Sequence, residues 1–348
     1  MQTKTITALF VGLGSIGTRH LKNLTALCAQ RGIALRVDAL RSDLSRPLRD
    51  GVAQQLTAQF TSLSQANTEG QCNLSGARPT GTQGGLSPEV QVAQLPFYDI
   101  AFITNPTAYH ADVLAQLQGR VGALFIEKPI FDATQTDLVL AEIIPPAQKA
   151  YVAAPMRWCG AMLALKEYLA NHPEAAPYSA RAICSSYLPD WRPGVDYRTV
   201  YSAHRALGGG VTIDLIHEWD YLVDLFGKPL AMHHFKGTYS ALEIDSDDLS
   251  IYIAQYPTLL CELHLDYFGR TYRRNIELFT KEGTLVADFG AGTLTLPDGR
   301  VENYAEDVNK RYLRELDYFL DYALDATAIQ SKNPPAEGLD VLRLTLGQ

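Results

Sequence analysis

The sequence predicts two domains. The first, about residues 1–150, is of α/β type on a parallel sheet, and the second, 151–348, is of α+β type with an open, mostly antiparallel sheet. Three observations predict this. The chain has 348 residues, about twice the roughly 150 residues usual for one domain. Its first part alternates short apolar runs with helical patterns, the order of a parallel sheet covered by helices. After about residue 150 the rhythm changes to β-rich segments joined by short turns, which fits antiparallel hairpins.

In order along the chain, residues 6–11 are the first apolar run. Residues 15–31 follow as a helix, with Leu21, Leu24, Leu27 and Cys28 on one face and Gly32 as a stop. Residues 33–40 make a second strand, and 98–104 and 123–126 further buried strands, each ending in a polar or Pro-containing turn. Functional loops are therefore expected at the strand ends. Between them, 66–96 holds five Gly, three Pro and eleven Ser, Thr, Asn or Gln, with only three charged residues, and reads as an inserted surface loop or a lid.

The second domain offers strands at 178–187, 231–239, 249–256, 258–266, 271–279, 283–288 and 292–296. Tyr256-Pro257-Thr258, Lys281-Glu282-Gly283 and Pro297-Asp298-Gly299 are its hairpin turns. A last helix over 304–325 places Val308, Tyr312, Leu316, Phe319 and Ala323 on one stripe, with Glu306 and Asp307 in its first turn. The last segment is expected to pack back on the first domain.

Composition narrows the function. Apolar residues are 47% and charged residues 20% of the chain, as in ordinary globular proteins. The formal charge of −8 lacks the cationic surplus that neutralises phosphates, so nucleic acid and anionic membranes are not expected partners. The apolar N-terminal run is too short for a signal peptide or a membrane span, which suggests a cytoplasmic protein. Five scattered cysteines (Cys28, Cys72, Cys159, Cys184, Cys261) form neither a Cys-x-x-Cys pair nor a Cys/His cluster, so reduced structural thiols are expected.

Gly12-Leu13-Gly14-Ser15-Ile16-Gly17 fits G-x-G-x-x-G between a strand and a helix. There the glycines allow a tight turn, close approach to a pyrophosphate and close helix packing, the fingerprint of a Rossmann dinucleotide-binding domain. At the end of the second strand, an acid would bind the ribose 2′-hydroxyl of NAD, whereas Arg accommodates the 2′-phosphate of NADP. Asp38 lies about twenty residues after the last glycine, near the usual spacing, but before the strand exit. Arg41-Ser42 occupies the exit and favours NADP over NAD.

Three more segments, Thr104-Asn105-Pro106-Thr107-Ala108-Tyr109-His110, Glu127-Lys128-Pro129 and Gly208-Gly209-Gly210-Val211-Thr212-Ile213-Asp214-Leu215-Ile216-His217, join the glycine turn in order and spacing. Together they resemble the Gfo/Idh/MocA family of NAD(P)-dependent oxidoreductases. The resemblance implies a Rossmann domain followed by an open-faced sheet, sugar or cyclitol substrates, and a homo-oligomer, dimer or tetramer. It implies Lys128, Asp214 and His217 as catalytic residues, and places Asn105, Pro106 and His110 near the nicotinamide ribose. For His110, packing at a helix start is the alternative. Glu127, at the strand end beside Lys128, would bind cofactor or partner a nearby backbone group or cation.

Many members of that family place the His four residues after the Asp, whereas here the interval is three. Both spacings share a helix face. On one continuous helix, Asp214, His217, Glu218 and Tyr221 would span an arc of about 100°, with Leu215, Trp219, Leu222 and Phe226 in another. The polar arc is then a substrate face, or else a solvated one. His217-Glu218-Trp219-Asp220-Tyr221 lacks the second His of H-E-x-x-H, so no metal is expected.

The stretch Ser186 to Arg198, with Tyr201, resembles a subgroup of the family linked to surface-polysaccharide or acidic amino-sugar synthesis. Trp191 and Tyr197 can stack on a pyranose, Asp196 can accept hydroxyl protons, and Arg192 or Arg198 can pair with a carboxylate or phosphate; the alternative is an aromatic loop packed between domains. Arg157 is a further anion-binding candidate, or an interdomain salt bridge. The expected activity is reversible hydride transfer between NAD(P) and a secondary alcohol or ketone of a sugar, sugar derivative or nucleotide sugar. His217 or Lys128 would be the base. The rival readings are glycoside cleavage through transient oxidation by tightly held NAD, and a cofactor-binding regulator without catalysis.

Overall fold

The computed structural model describes residues 4–49, 51–63, 96–327 and 330–348. Apart from Pro96, the insertion expected at 66–96, with Cys72, lies outside them. The chain divides into two compact units, Met1–Ala153 with Leu316–Ala336, and Ala154–Glu315 with Glu337–Gln348. Among the described residues no helix is long and apolar enough to cross a membrane.

The first unit carries β1 (Thr5–Val11), α1 (Ser15–Gln30), β2 (Ala34–Leu40), β3 (Ala58–Phe60), β4 (Tyr98–Ile103), α2 (His110–Gln116), β5 (Val121–Ile126), α3 (Leu140–Ile143) and β6 (Lys149–Val152). Its six strands are ordered β3-β2-β1-β4-β5-β6 and all pairs are parallel. The chain reverses direction across the sheet between β1 and β4, and ligands of open parallel sheets bind at the strand C-termini beside such a reversal. β1, β4 and β5 are nearly uninterrupted apolar runs because both faces are covered. Phe10, Phe102 and Phe125, on these three strands, form an aromatic row with centroids 4.5 and 5.1 Å apart, closed edge-on by Phe319. The sequence pattern passes over β3 and β6, which are only three and four residues long.

The second unit contains α4 (Gly160–Asn171), β7 (Ser179–Tyr187), α5 (Val211–Asp214), α6 (His217–Phe226), β8 (Ala231–Gly237), β9 (Leu249–Gln255), β10 (Leu260–Asp266), β11 (Phe268–Thr280), β12 (Gly283–Asp288), β13 (Thr293–Thr295) and β14 (Val301–Asn303). The eight strands run β14-β13-β12-β11-β7-β10-β9-β8, antiparallel throughout except for β10 on β7. The α/β architecture is as the alternation predicts. Trp219 of α6 is fully buried edge-on to Tyr252 of β9, which fixes the helix to one face of the sheet.

Two further helices, α7 (Asn309–Leu324) and α8 (Pro335–Leu346), complete the chain. The helix expected from 304 begins only at Asn309, and Val308 is exposed. Glu306 is committed elsewhere: its carboxylate accepts from the Gly160 N–H at 3.0 Å and pairs with Arg314. Asp307 accepts from the Asn309 N–H at 2.7 Å, just before the helix rather than inside it.

Candidate active site

The glycine turn follows β1 directly. Gly12 adopts φ +88°, and a Cβ there would sit 2.9 Å from the Asn105 backbone and the Thr104 carbonyl. Its N–H donates to the Leu40 carbonyl at 2.9 Å, and its carbonyl accepts from the Thr104 hydroxyl at 2.6 Å, so the ends of β1, β2 and β4 are tied together. A Cβ on Gly17 would lie 2.6 Å from the Gly12 carbonyl oxygen, which is why α1 can pack so closely. Gly14 differs, because a Cβ there would meet nothing within 4 Å. Gly14 and Ser15 are exposed and Ile16 half-buried. The N-terminus of α1 has no side-chain cap and no acid in its first turn, leaving N–H groups and the positive dipole end directed at open space. This cradle fits the pyrophosphate of a dinucleotide.

At the edge of the cradle, Asp38 pairs in register with Leu9, within β2. One of its oxygens accepts from the Tyr98 hydroxyl at 2.9 Å; burial, then the Asp38 charge, push that phenol up. Arg41 stands immediately after β2, where its guanidinium donates to the Gln59 side chain at 2.8 Å and to the Arg46 carbonyl. Ser42 follows in the same loop. The strand exit therefore presents a cation, while the acid is engaged further back.

The loops after β4 and β5 are joined through His110. Its buried ring lies between the Asn105 carbonyl, 3.0 Å from Nε2, and the Ile130 carbonyl, 3.1 Å from Nδ1, and burial lowers its pKa. His110 is thus enclosed by backbone and holds the segments of Asn105-Pro106 and Lys128-Pro129 in place, so its placement corrects the expectation of a direct cofactor contact. Glu127 meets the buried His20 ring, with Oε1 2.6 Å from Nε2, and accepts from the Lys128 N–H at 3.2 Å. Burial alone would raise this carboxyl; the His20 hydrogen bond and the neighbouring charges of His20 and Lys128 bring it below its ordinary value. Glu127 thus ties the backbone of Lys128 to His20, and the Lys128 side chain is half-buried at the strand end.

In the second unit the expected single helix is broken. α5 ends at Asp214, Leu215 and Ile216 intervene, and α6 starts at His217. The arc drawn for a continuous helix therefore fails. Asp214 and His217 both line a cavity of about 440 Å³ with Cys184, Ser186, Tyr187, Asp190, Trp191 and Arg270 among its walls. Tyr221 does not: it is fully buried and packs on Phe289. Glu218 is also fully buried, paired with Arg274 at 2.6 Å. Each oxygen of Asp214 accepts one tyrosyl hydroxyl, from Tyr201 at 2.8 Å and from Tyr267 at 2.6 Å. Burial and the Asp214 charge raise both phenols. Tyr201 is thereby a partner of the carboxylate.

Of the loop candidates, Trp191 stands in the cavity wall, its indole N–H donating to the Ser186 hydroxyl at 3.0 Å and its ring edge-on to Tyr267. Asp196 and Arg198 are taken by each other, Arg198 also pairs with Glu243 at 2.7 Å, and the Tyr197 hydroxyl accepts from the Glu243 N–H. These three residues fold the loop on itself and do not line the cavity. Arg192 lies over the Tyr201 ring, 5.9 Å from its centroid. Arg157 is the clearest correction. Its side chain is only 4% exposed and reaches Asp220 at 2.8 Å, Glu337 at 2.7 Å and Asp224 at 3.4 Å, a buried ion cluster within this unit with no open anion site. Sequence reasoning missed Tyr267, Arg270 and Arg274, and held Tyr187 only as part of the stretch from Ser186 to Arg198; strand alternation over 268–274 is the signal that would have placed Arg270 and Arg274 on one face.

No protein-family profile matches the sequence, and no curated protein matches it. Solved structures share the fold across nearly the whole chain. An oxidoreductase from Agrobacterium radiobacter, in complex with NAD+, L-tartaric acid and magnesium, is 13% identical with a TM-score of 0.74, covering 98% of this chain and 94% of that one. The myo-inositol 2-dehydrogenase of Lactobacillus plantarum is 16% identical, TM-score 0.71, over 99% and 96%. The WlbA dehydrogenase of Bordetella pertussis, in complex with NADH and UDP-GlcNAcA, is 16% identical, TM-score 0.66, over 99% and 95%. At these identities the likeness is one of fold.

Proposed function

We propose that this protein is a nicotinamide-dependent oxidoreductase of the Gfo/Idh/MocA type, interconverting a secondary alcohol and a ketone on a sugar, sugar derivative or nucleotide sugar. The observation that carries the reading is the cradle between β1 and β4, where Gly12 and Gly17 are sterically required and the space above Gly14 is open. Gly12, Gly14, Ser15, Ile16 and Gly17 would hold the pyrophosphate, and Asn105 and Pro106 the ribose side of the same ligand. An oxidoreductase bound to NAD+ and a dehydrogenase bound to NADH, both of this fold, support the choice of ligand class. When bound, the nicotinamide supplies a hydride acceptor or donor.

The chain's own residues handle the proton and the charge. His217, whose imidazole lines the cavity, takes the hydroxyl proton as general base. Asp214 is fixed by Tyr201 and Tyr267 and uses its remaining lone pairs to accept the substrate hydroxyl. Lys128 stabilises developing alkoxide charge or relays the proton. Trp191 offers an apolar face for a pyranose.

Arg41 sets the cofactor preference toward NADP, since it stands at the exit of β2 whereas Asp38 lies within the strand with one oxygen bonded to Tyr98. Calorimetric titration with NAD+ and NADP+ tests this. NADP+ is expected to bind more tightly, and Arg41→Ala to remove the difference. Tighter NAD+ binding that Arg41→Ala leaves unchanged would contradict it.

A further inference from the structure

The cavity around Asp214 and His217 contains a cation that the hydride-transfer reading leaves unused. β11 passes along its wall, and the alternation of a strand sends successive side chains to opposite faces. Arg270, Tyr272 and Arg274 line this cavity, whereas Thr271 and Arg273 line the opposite face of the sheet. The register of β11 against β7 shifts between Phe268 and Arg273, beside the cavity, and such bulges re-aim side chains at functional sites.

The charges in the wall are unequally satisfied. Asp214 has its two tyrosyl hydroxyls, and Arg274 is countered by Glu218. That pair meets through one contact: Arg274 Nε donates to Glu218 Oε1, while Arg274 Nη2 is buried without a hydrogen-bond partner. The Arg270 guanidinium lies 3.8 Å above the Tyr187 ring and makes no ion pair among the described residues. A guanidinium stacked on an aromatic face keeps its in-plane N–H fork free for a bidentate oxygen ligand. The chain as a whole is acidic, so its general field does not attract an anion and a dedicated local cation is needed.

We propose that the substrate carries an anionic group, a carboxylate or a phosphate, which the Arg270 fork binds. Asp190 and Asp214 take hydroxyl groups of the same molecule. The inference rests on the cavity being the substrate site of the oxidoreductase proposed above. It implies an acid-bearing polyol or sugar as the substrate class.

The test follows the Trp191 indole N–H signal by NMR, assigned with Trp191→Phe, while the full chain is titrated with D-glucuronate, inorganic phosphate or neutral D-glucose. No cofactor or turnover is involved, so the result is independent of whether hydride transfer occurs. At least one anion is expected to shift the signal with an affinity about tenfold or more above that of glucose. The tighter of the two identifies the group. Arg270→Gln should bring that anion to the level of glucose, and Arg270→Lys should restore part of the difference. Glucose binding as tightly as both anions, neither anion shifting the signal, or a preference that survives Arg270→Gln would overturn the proposal.

Discussion

At the scale of single residues, two glycines three positions apart have opposite sensitivities. Gly17→Ala forces a Cβ to 2.6 Å from the Gly12 carbonyl and should destabilise the first unit. Gly14→Ala meets nothing within 4 Å and should leave the melting temperature unchanged while weakening dinucleotide binding about tenfold or more, because the methyl occupies the approach to the cradle. Thermal melting and calorimetry on both variants separate the two effects. Arg157→Met should cost about 3–5 kcal/mol in urea unfolding, since it removes the cation paired with the buried Asp220 carboxylate. Glu127 makes stability depend on pH. Its carboxyl is held below its ordinary value, so its contribution is complete above the unfolded value of about 4.3 and is lost as pH falls through the lower folded value. Glu127→Gln should flatten the acid limb of an unfolding curve, and an unchanged limb would contradict this. The glycines were legible in the sequence because a turn that needs positive φ and close approach is a local demand. Arg157 was not, because Asp220, Asp224 and Glu337 are distant in sequence and only tertiary packing brings them to it.

At the scale of elements, the break between α5 and α6 decides what the catalytic candidates touch. A four-residue helix does not sustain itself, and α5 is held from outside. Asp247 accepts from the Thr212 N–H at 2.9 Å and from its hydroxyl at 2.5 Å, while Gly210, at φ +133°, lets the chain pass so close that a Cβ would lie 2.5 Å from the Asp247 carboxylate. Asp247→Ala should therefore release α5, misplace Asp214 and lower kcat/KM by about 10²-fold, with cofactor affinity unaltered; an equal loss in cofactor affinity would contradict the local role. The family resemblance picked out Asp214 and His217, and helical periodicity wrongly grouped Glu218 and Tyr221 with them, because it assumes one axis through Leu215 and Ile216. The same assumption of regularity placed the last helix too early, at a point where Glu306 is drawn off by Gly160 and Arg314. In β11 the period-2 signal was present, but a run of Arg and Tyr does not show on its own which face a cavity occupies.

At the scale of the whole molecule, the two sheet types were legible because their periodicities and connections differ. Long apolar strands separated by helices give the parallel sheet, and short turns such as Pro297-Asp298-Gly299 give the hairpins. Short edge strands such as β3 and β14 were not legible, since three residues carry too little pattern. In the function we propose, the first unit binds the dinucleotide, the second supplies the substrate chemistry, and Lys128 and His217 serve one hydride-transfer reaction. Single-turnover reduction of the nicotinamide cofactor tests it most directly, followed by the near-ultraviolet absorbance of the reduced ring with acidic and neutral sugar alcohols as substrates. The unaltered protein is expected to reduce the cofactor, and Lys128→Ala and His217→Ala to slow that step about 10²- to 10⁴-fold, each retaining cofactor affinity. Full single-turnover rates in both variants, or cofactor binding with no reduction by any alcohol, would contradict it.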